Sequence, residues 1–456
     1  MNTPGHPDDR RPKVVIIGAG FAGLSAAREL ETAGFDVVIH EARDRIGGRA
    51  WTDTRLGRPL EMGATWVHWH QPHVWSEITR YGAEIVASPF CDTAYWRTGD
   101  TVKKGTEDEL DGLLARPMAK IFENSHDFFP QPYRPLAILG DDFPASEELK
   151  EKFRQADDAS VMDAVCTDEF TPEERDLCDG YWSAGYIGNP YEGSALMAKQ
   201  WAALCDNRLA LVDEQTLRFK LVDGMQRLYN GIAGDLDCPI HLNSPVSRVE
   251  HTADGARITL ESGESESADA VIVTVPVGAL CNIEFSPVLR PDMCRVIDRK
   301  WNSTGAKIWI KVKGHHSILC YAPSPGPVTV MRSEYFTDDD ATILVGFGPD
   351  HTAIDLEDPD SARRILDVWN LDLEVIGCTG HDWVADKYSG QAWATLRKGQ
   401  FIDGWSHFLA PDSRLYFAGA DWANGWRGVV VDGALESGIS QARAVIRELR
   451  GTRTAD

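Results

Sequence analysis

Val14-Val15-Ile16-Ile17 is an unbroken β-branched run, the pattern of a strand covered on both faces. Gly18 to Gly23 follows, and the apolar spacing beyond predicts a helix to about Ala33 that Gly34 ends. Val37-Val38-Ile39 reads as a second buried strand, so residues 13–41 form one β-α-β unit whose parallel pairing needs a right-handed helical crossover. The ten residues MNTPGHPDDR ahead of it are polar and hold two prolines, which predicts a frayed tail. Residues 73–81 and 145–205 read mainly helical, bounded by Pro144, Pro172 and Pro190. Strands return at Val246–Glu250 and Arg257–Leu260, a hairpin feeding the run Ala270–Val275 that Pro276 stops. Lys307–Lys313 alternates with period two and predicts a half-exposed antiparallel strand, with Thr342–Phe347 beside it in a second sheet. Leu415–Gly419 is a short buried strand, and Leu435, Ile439, Ala442, Ile446 and Leu449 draw the apolar stripe of a final helix. No internal repeat or low-complexity tract interrupts this order.

Length and composition narrow the class. The chain has 456 residues, which at about 100–200 residues per domain means two or three domains and a core that needs no disulfide or metal staple. A net charge of −24 argues against nucleic acid or an anionic membrane as the main partner. The nine cysteines are scattered, odd in number and never spaced C-x-x-C, as expected of reduced thiols in the cytoplasm. No window reaches the length of a membrane helix, and Arg10-Arg11 leads into Pro12 and a strand, so neither export nor membrane anchoring is expected.

The chemistry begins in the first turn. Gly18, Gly20 and Gly23 have the G-x-G-x-x-G spacing, with Ala22 inside the same loop, between a strand and a helix. Gly18 permits the tight turn, Gly20 lets backbone N–H groups approach a pyrophosphate, and Gly23 lets helix and strand pack closely. Glu41 closes the second strand 23 residues after Gly18, where a carboxylate accepts the ribose hydroxyls of an adenine dinucleotide.

The residues after Glu41 choose between nicotinamide and flavin. Glu41-Ala42-Arg43-Asp44-Arg45-Ile46-Gly47-Gly48-Arg49 resembles the extended flavin-binding segment of the flavin amine oxidase family. Physically, Gly48 and its neighbour let the chain run close to a diphosphate, while Arg43 and Arg49 offer charge-assisted bonds to phosphate oxygens. The resemblance covers nearly the whole chain. The segment holding Gly63, Ala64, Thr65 and Trp66 is similar to the one that passes the flavin ring, and Val246 sits where the family backbone meets adenine. Phe417-Ala418-Gly419-Ala420-Asp421 resembles the second flavin motif, making Gly419 and the acidic Asp421 cofactor candidates. Within the family the chain looks most like bacterial amine oxidoreductases of the nicotine and pseudooxynicotine type.

The same resemblance implies a reacting site. Lys307 falls where relatives hold a water against flavin N5, and Trp393 where an aromatic flanks the substrate amine. The other side of that aromatic cage falls near Trp426–Val430, where Val429 or Val430 replaces the usual tyrosine. His68 is expected to line the cavity. Ala392 stands where covalently flavinylated relatives carry cysteine, which implies non-covalent FAD. His68, His70 and His73 lack acidic or cysteine partners at ligand spacing, so no metal is expected.

These readings converge on an α/β fold of two domains. A Rossmann-like FAD-binding domain, discontinuous over 11–85, 215–285 and 386–450, is interleaved with a mixed-sheet and helical substrate-binding domain over 86–214 and 286–385. The implied activity is FAD-dependent oxidation of a small amine to an imine or iminium by hydride transfer to flavin N5, followed by hydrolysis. The resemblance further implies oxygen or a protein as electron acceptor and a homodimeric assembly. The rivals are an L-amino-acid oxidase or C–C desaturase on the same scaffold, with Arg427 as the candidate carboxylate clamp, and a protein that holds flavin without turnover. A plain NAD dehydrogenase is disfavoured by the second flavin motif.

Overall fold

The computed structural model describes residues 10–451. Apart from Arg10, the tail read as frayed lies outside the described residues. The first lobe is built on a five-stranded parallel sheet in the order Leu415–Phe417, Ala270–Val273, Lys13–Ile17, Asp36–His40, Ile240–His241. Its strands come from three separated parts of the chain. Period two divides the central strand between two cores: Val14 and Ile16 pack with the first helix, Phe21–Thr32, and the last, Val431–Gly451, while Val15 and Ile17 face the apolar mass that continues into the second lobe. A strand covered on both faces has no polar side to show, which is why its sequence is continuously apolar.

The second lobe holds a mixed seven-stranded sheet. Its order is Val375–Gly380, Ala306–Lys313, Ala341–Gly348, Val330–Thr337, Ile318–Tyr321, Thr93–Thr98, Thr101–Gly105. Helices Glu107–Ile121, Glu147–Asp157, Pro172–Tyr186 and Ala195–Leu204 accompany it. The expected hairpin forms between Val246–His251 and Ala256–Leu260 in a small sheet of its own, and the run after it joins the parallel sheet as Ala270–Val273. No helix among the described residues is long and apolar enough to cross a membrane.

One expected feature is corrected. The strand Ala306–Lys313 is not half-exposed: every residue from Ala306 to Val312 is buried and only Lys313 reaches solvent. Ile308, Ile310 and Val312 enter one core, and the alternate face carries Trp309 into another. The lysines on that face are covered because backbone oxygens and Asp339 accept their protons, Lys311 pairing with Asp339 at 2.7 Å. Alternation of lysine and apolar residues therefore marks two different buried environments here.

Candidate active site

A long cleft runs between the lobes, enclosing about 1490 Å³ with its open mouths included. One end is the first βα turn. Gly18 adopts φ +108°, and a Cβ at Gly23 would fall onto the carbonyl oxygen of Gly18, so the tight turn and the close helix approach both require glycine. Gly20 is the N-cap of the first helix; no side chain caps it and the first turn holds no acid. Its free N–H groups and the helix dipole therefore favour an anion at this point in the cleft.

Gly18, Gly20 and Ala22 line the cleft, followed by Glu41, Ala42 and Arg43. Gly48, Arg49, Gly63 and Ala64 continue the wall, and Val246, Gly419 and Val430 close it. Glu41 is held in place by the N–H groups of Ala19 (2.7 Å) and Arg43 (2.9 Å), one on each carboxylate oxygen. Arg43 pairs with Asp386 at 2.8 Å and its guanidinium lies beside the rings of Trp383 and Tyr388. Arg49 pairs with Asp421 at 2.6 Å and donates to the Ala392 carbonyl at 2.8 Å. Glycine-lined walls, an uncapped helix start, an anchored carboxylate and two oriented arginines fit a flavin adenine dinucleotide.

The same cleft is lined by Lys307 and Trp393. Lys307 Nζ donates to the carbonyls of Glu61 (2.9 Å) and Gly63 (3.0 Å) and to Thr65 Oγ1 (2.6 Å). Burial draws its pKa down to about 7 against the opposing pull of Glu61. The indoles of Trp309 and Trp66 lie 4.6 and 5.3 Å from the nitrogen. Trp393 is oriented by a 3.0 Å bond from Nε1 to the Gly185 carbonyl and by an edge contact with Phe347.

Several predicted residues stand elsewhere. Asp421 is buried and is not part of the cleft lining: beyond Arg49, its carboxylate accepts from Trp301 Nε1, Gln391 Nε2 and the Val277 N–H, so it positions Arg49. Gly23 is set back by the packing described above. Thr65 and Trp66 lie beyond Lys307, with Trp66 Nε1 bonded to Ser88. Trp426 is buried in the core and is not part of the cleft wall, which Val429 and Val430 line instead. His68 also misses the cleft. It is fully buried, accepts the His70 N–H at Nδ1 and bonds Glu214 through Nε2, so its proton has a fixed place, and burial lowers its pKa.

His73 pairs with Asp432 instead of approaching the other histidines as a ligand set, and no metal-holding group of His, Cys, Asp or Glu occurs among the described residues. Arg427 points neither into the cleft nor to solvent. Its guanidinium stacks on Trp405 at 3.6 Å and Nε donates to the Ala423 carbonyl, so it offers no carboxylate clamp beside Trp393. Sequence reasoning missed Trp383, Asp386 and Tyr388, which fix Arg43. Their signal was the aromatic and acidic cluster of residues 381–388 directly before the Trp393 segment.

The loops that build this cleft recur in known proteins. The family described as flavin containing amine oxidoreductase matches residues 21–446. A pseudooxynicotine dehydrogenase from a Pseudomonas species is 31% identical over 96% of this chain and 86% of its own length. A nicotine dehydrogenase from Pseudomonas putida is 30% identical over 95% and 88%. A solved putrescine oxidase bound to putrescine superposes with a TM-score of 0.81 at 22% identity, covering 96% of this chain and 99% of that one. At that identity the likeness speaks for the fold. A family match that runs from the first helix to the last makes this chain a member of the flavin-containing amine oxidoreductases.

Proposed function

We propose that the chain oxidises a small amine bound neutral at the Lys307–Trp393 end of the cleft, with FAD held non-covalently along the rest. The single observation that carries this is that Lys307 and Trp393 line the same cleft as the uncapped helix start. When bound, the flavin supplies the acceptor for a hydride from the amine's α-carbon.

The protein's own groups do the rest. The N–H groups of Gly20 and its successors hold the diphosphate, with Arg43 and Arg49 as cationic partners on the wall. Each Glu41 oxygen accepts one amide and keeps a lone pair for a ribose hydroxyl. Val246 meets the adenine, and Gly63, Ala64, Gly419 and Val430 shape the wall against the ring system. Trp393 presents an electron-rich face that tolerates the cationic product and guides the amine. Ala392 has no nucleophile for a covalent flavin link. Water then hydrolyses the iminium.

The strand memberships of the two large sheets support the division at 11–85, 215–285 and 386–450 against 86–214 and 286–385. Nine free cysteines among the described residues support a reducing, cytoplasmic location. The acceptor is dioxygen or a protein, and a homodimer is part of the proposal by family likeness. An anaerobic titration with secondary, cyclic and primary amines, beginning with nicotine and pseudooxynicotine, tests the function. Bleaching of the flavin band by at least one amine is expected. No bleaching by any of them, with dithionite still effective, contradicts it and leaves a flavin-holding protein without turnover.

A further inference from the structure

Behind Lys307 lies a second cavity that the amine chemistry above does not use. It encloses about 1140 Å³ with its mouth included. Its rim carries the exposed Val86 and Val222 with Phe336, whereas its interior is charged. Three buried polar atoms in its lining, Glu61 Oε2, Glu334 Oε2 and Arg58 Nε, meet no hydrogen-bond partner among the described residues. A roomy space with unpartnered donors and acceptors is a hydrated one. The Thr65 side chain connects it to the cleft. Thr65 lines the second cavity, its hydroxyl accepts from Lys307 Nζ at 2.6 Å, and Lys307 lines the cleft on the other side.

We propose that this second cavity is the enzyme's proton outlet, with Thr65 as the relay between Lys307 and cavity water. The inference rests on the amine-oxidising reading. The substrate arrives as an ammonium and must lose a proton before it can give up hydride. Lys307 first gives one of its three donated protons to Thr65 Oγ1; the substrate N–H bond then breaks as one forms at the lone pair left on Nζ. The hydroxyl's own proton leaves its 3.1 Å bond to the Gly63 carbonyl for cavity water. No oxidation state changes in these steps, and Lys307 returns to its three-bonded ammonium form.

The groups facing this route are Glu61 and Arg58 on one strand, Lys220 on a second, and Arg332, Glu334 and Tyr335 on a third. Lys220 is ion-paired with Glu334, and Arg332 lies 3.8 Å from the same carboxylate. Arg58 and Lys220 approach the Tyr335 ring at 3.5 and 3.8 Å. Glu61, pushed up by burial against the bonds from Met225 and Thr52, is placed to hold a proton in transit.

The test compares Thr65→Val, which keeps shape and removes the hydroxyl, with Thr65→Ser, which restores it. Thr65→Ala carries the same expectation as valine should the valine protein fail to fold. In ¹⁵N-lysine-labelled, flavin-loaded protein without substrate, the valine variant is expected to slow solvent exchange of the Lys307 ammonium protons at least tenfold. It is also expected to displace the pH profile of flavin reduction by the fastest amine of the panel, while serine stays near wild type in both. Wild-type exchange and an unmoved profile in the valine variant would overturn the proposal, as would a serine variant as impaired as valine. Failure of every amine to bleach the flavin would sink the amine-oxidising reading separately, and the exchange measurement would still decide the route.

Discussion

Lys307 shows what a buried residue contributes beyond its place in a motif. Its ammonium is satisfied by three oxygens, yet burial still favours the neutral form. Because the folded pKa of about 7 lies below the ordinary lysine value of 10.5, the unfolded chain binds more protons between those limits, and this residue's contribution to stability grows as pH rises through the window. Lys307→Met removes that dependence. Urea unfolding at pH 7 to 10 should show the wild type gaining on the variant by up to about 1.4 kcal/mol per pH unit. The same variant should keep its flavin and lose about a hundredfold or more in the rate of flavin reduction, the range of a lost acid–base group. A variant equal to wild type in both measurements would remove Lys307 from the chemistry. Residues whose role depends on local geometry, such as Gly18, Gly23 and Glu41, were legible in sequence because the turn dictates them. Asp421 and Trp426 do not line the cleft, which the motif alone could not tell; for Asp421 the reason lies in distant segments, since Trp301, Gln391 and Val277 occupy its carboxylate.

At the scale of elements, legibility followed periodicity and its interruption. The β-α-β unit and the final helix were read closely because their apolar patterns are continuous and end in glycine or polar residues. The helix Glu107–Ile121 was missed, although Thr106 and Glu109 form a capping box and Leu110, Leu114 and Met118 make a buried stripe. Pro117 inside it masks the pattern. Strand Ala306–Lys313 was found but its burial was not, since alternation reports two environments without saying that one is solvent. The first and last helices meet through a small residue: a Cβ at Gly438 would fall onto the Ala22 carbonyl and the Ser25 hydroxyl. Gly438→Ala should therefore force the helices apart, lowering stability by about 1–3 kcal/mol. It should also reduce flavin retained through purification, because the first helix carries the anion-binding turn. Unchanged flavin content at lowered stability would separate the two effects and contradict the claimed coupling.

The whole molecule places its chemistry where two lobes meet, one offering backbone N–H groups and arginines, the other an amine-bearing strand. Neither half is complete alone, since Gly18 and Lys307 line the same cleft from different sheets. That the parallel sheet is assembled from three distant stretches was legible only through the likeness of those stretches to one family; local physics does not set the pairing of Ala270–Val273 with Leu415–Phe417. The central claim is that a dinucleotide flavin lies along this seam with its ring at the Lys307–Trp393 end. An experimental density map of the purified yellow protein tests it most directly. The account predicts continuous density from the Gly18–Gly23 turn to a ring between Lys307 and Trp393, with no bond to Ala392. Density that leaves the turn sealed by side chains, or a ring pocket filled by packed apolar groups, would contradict it.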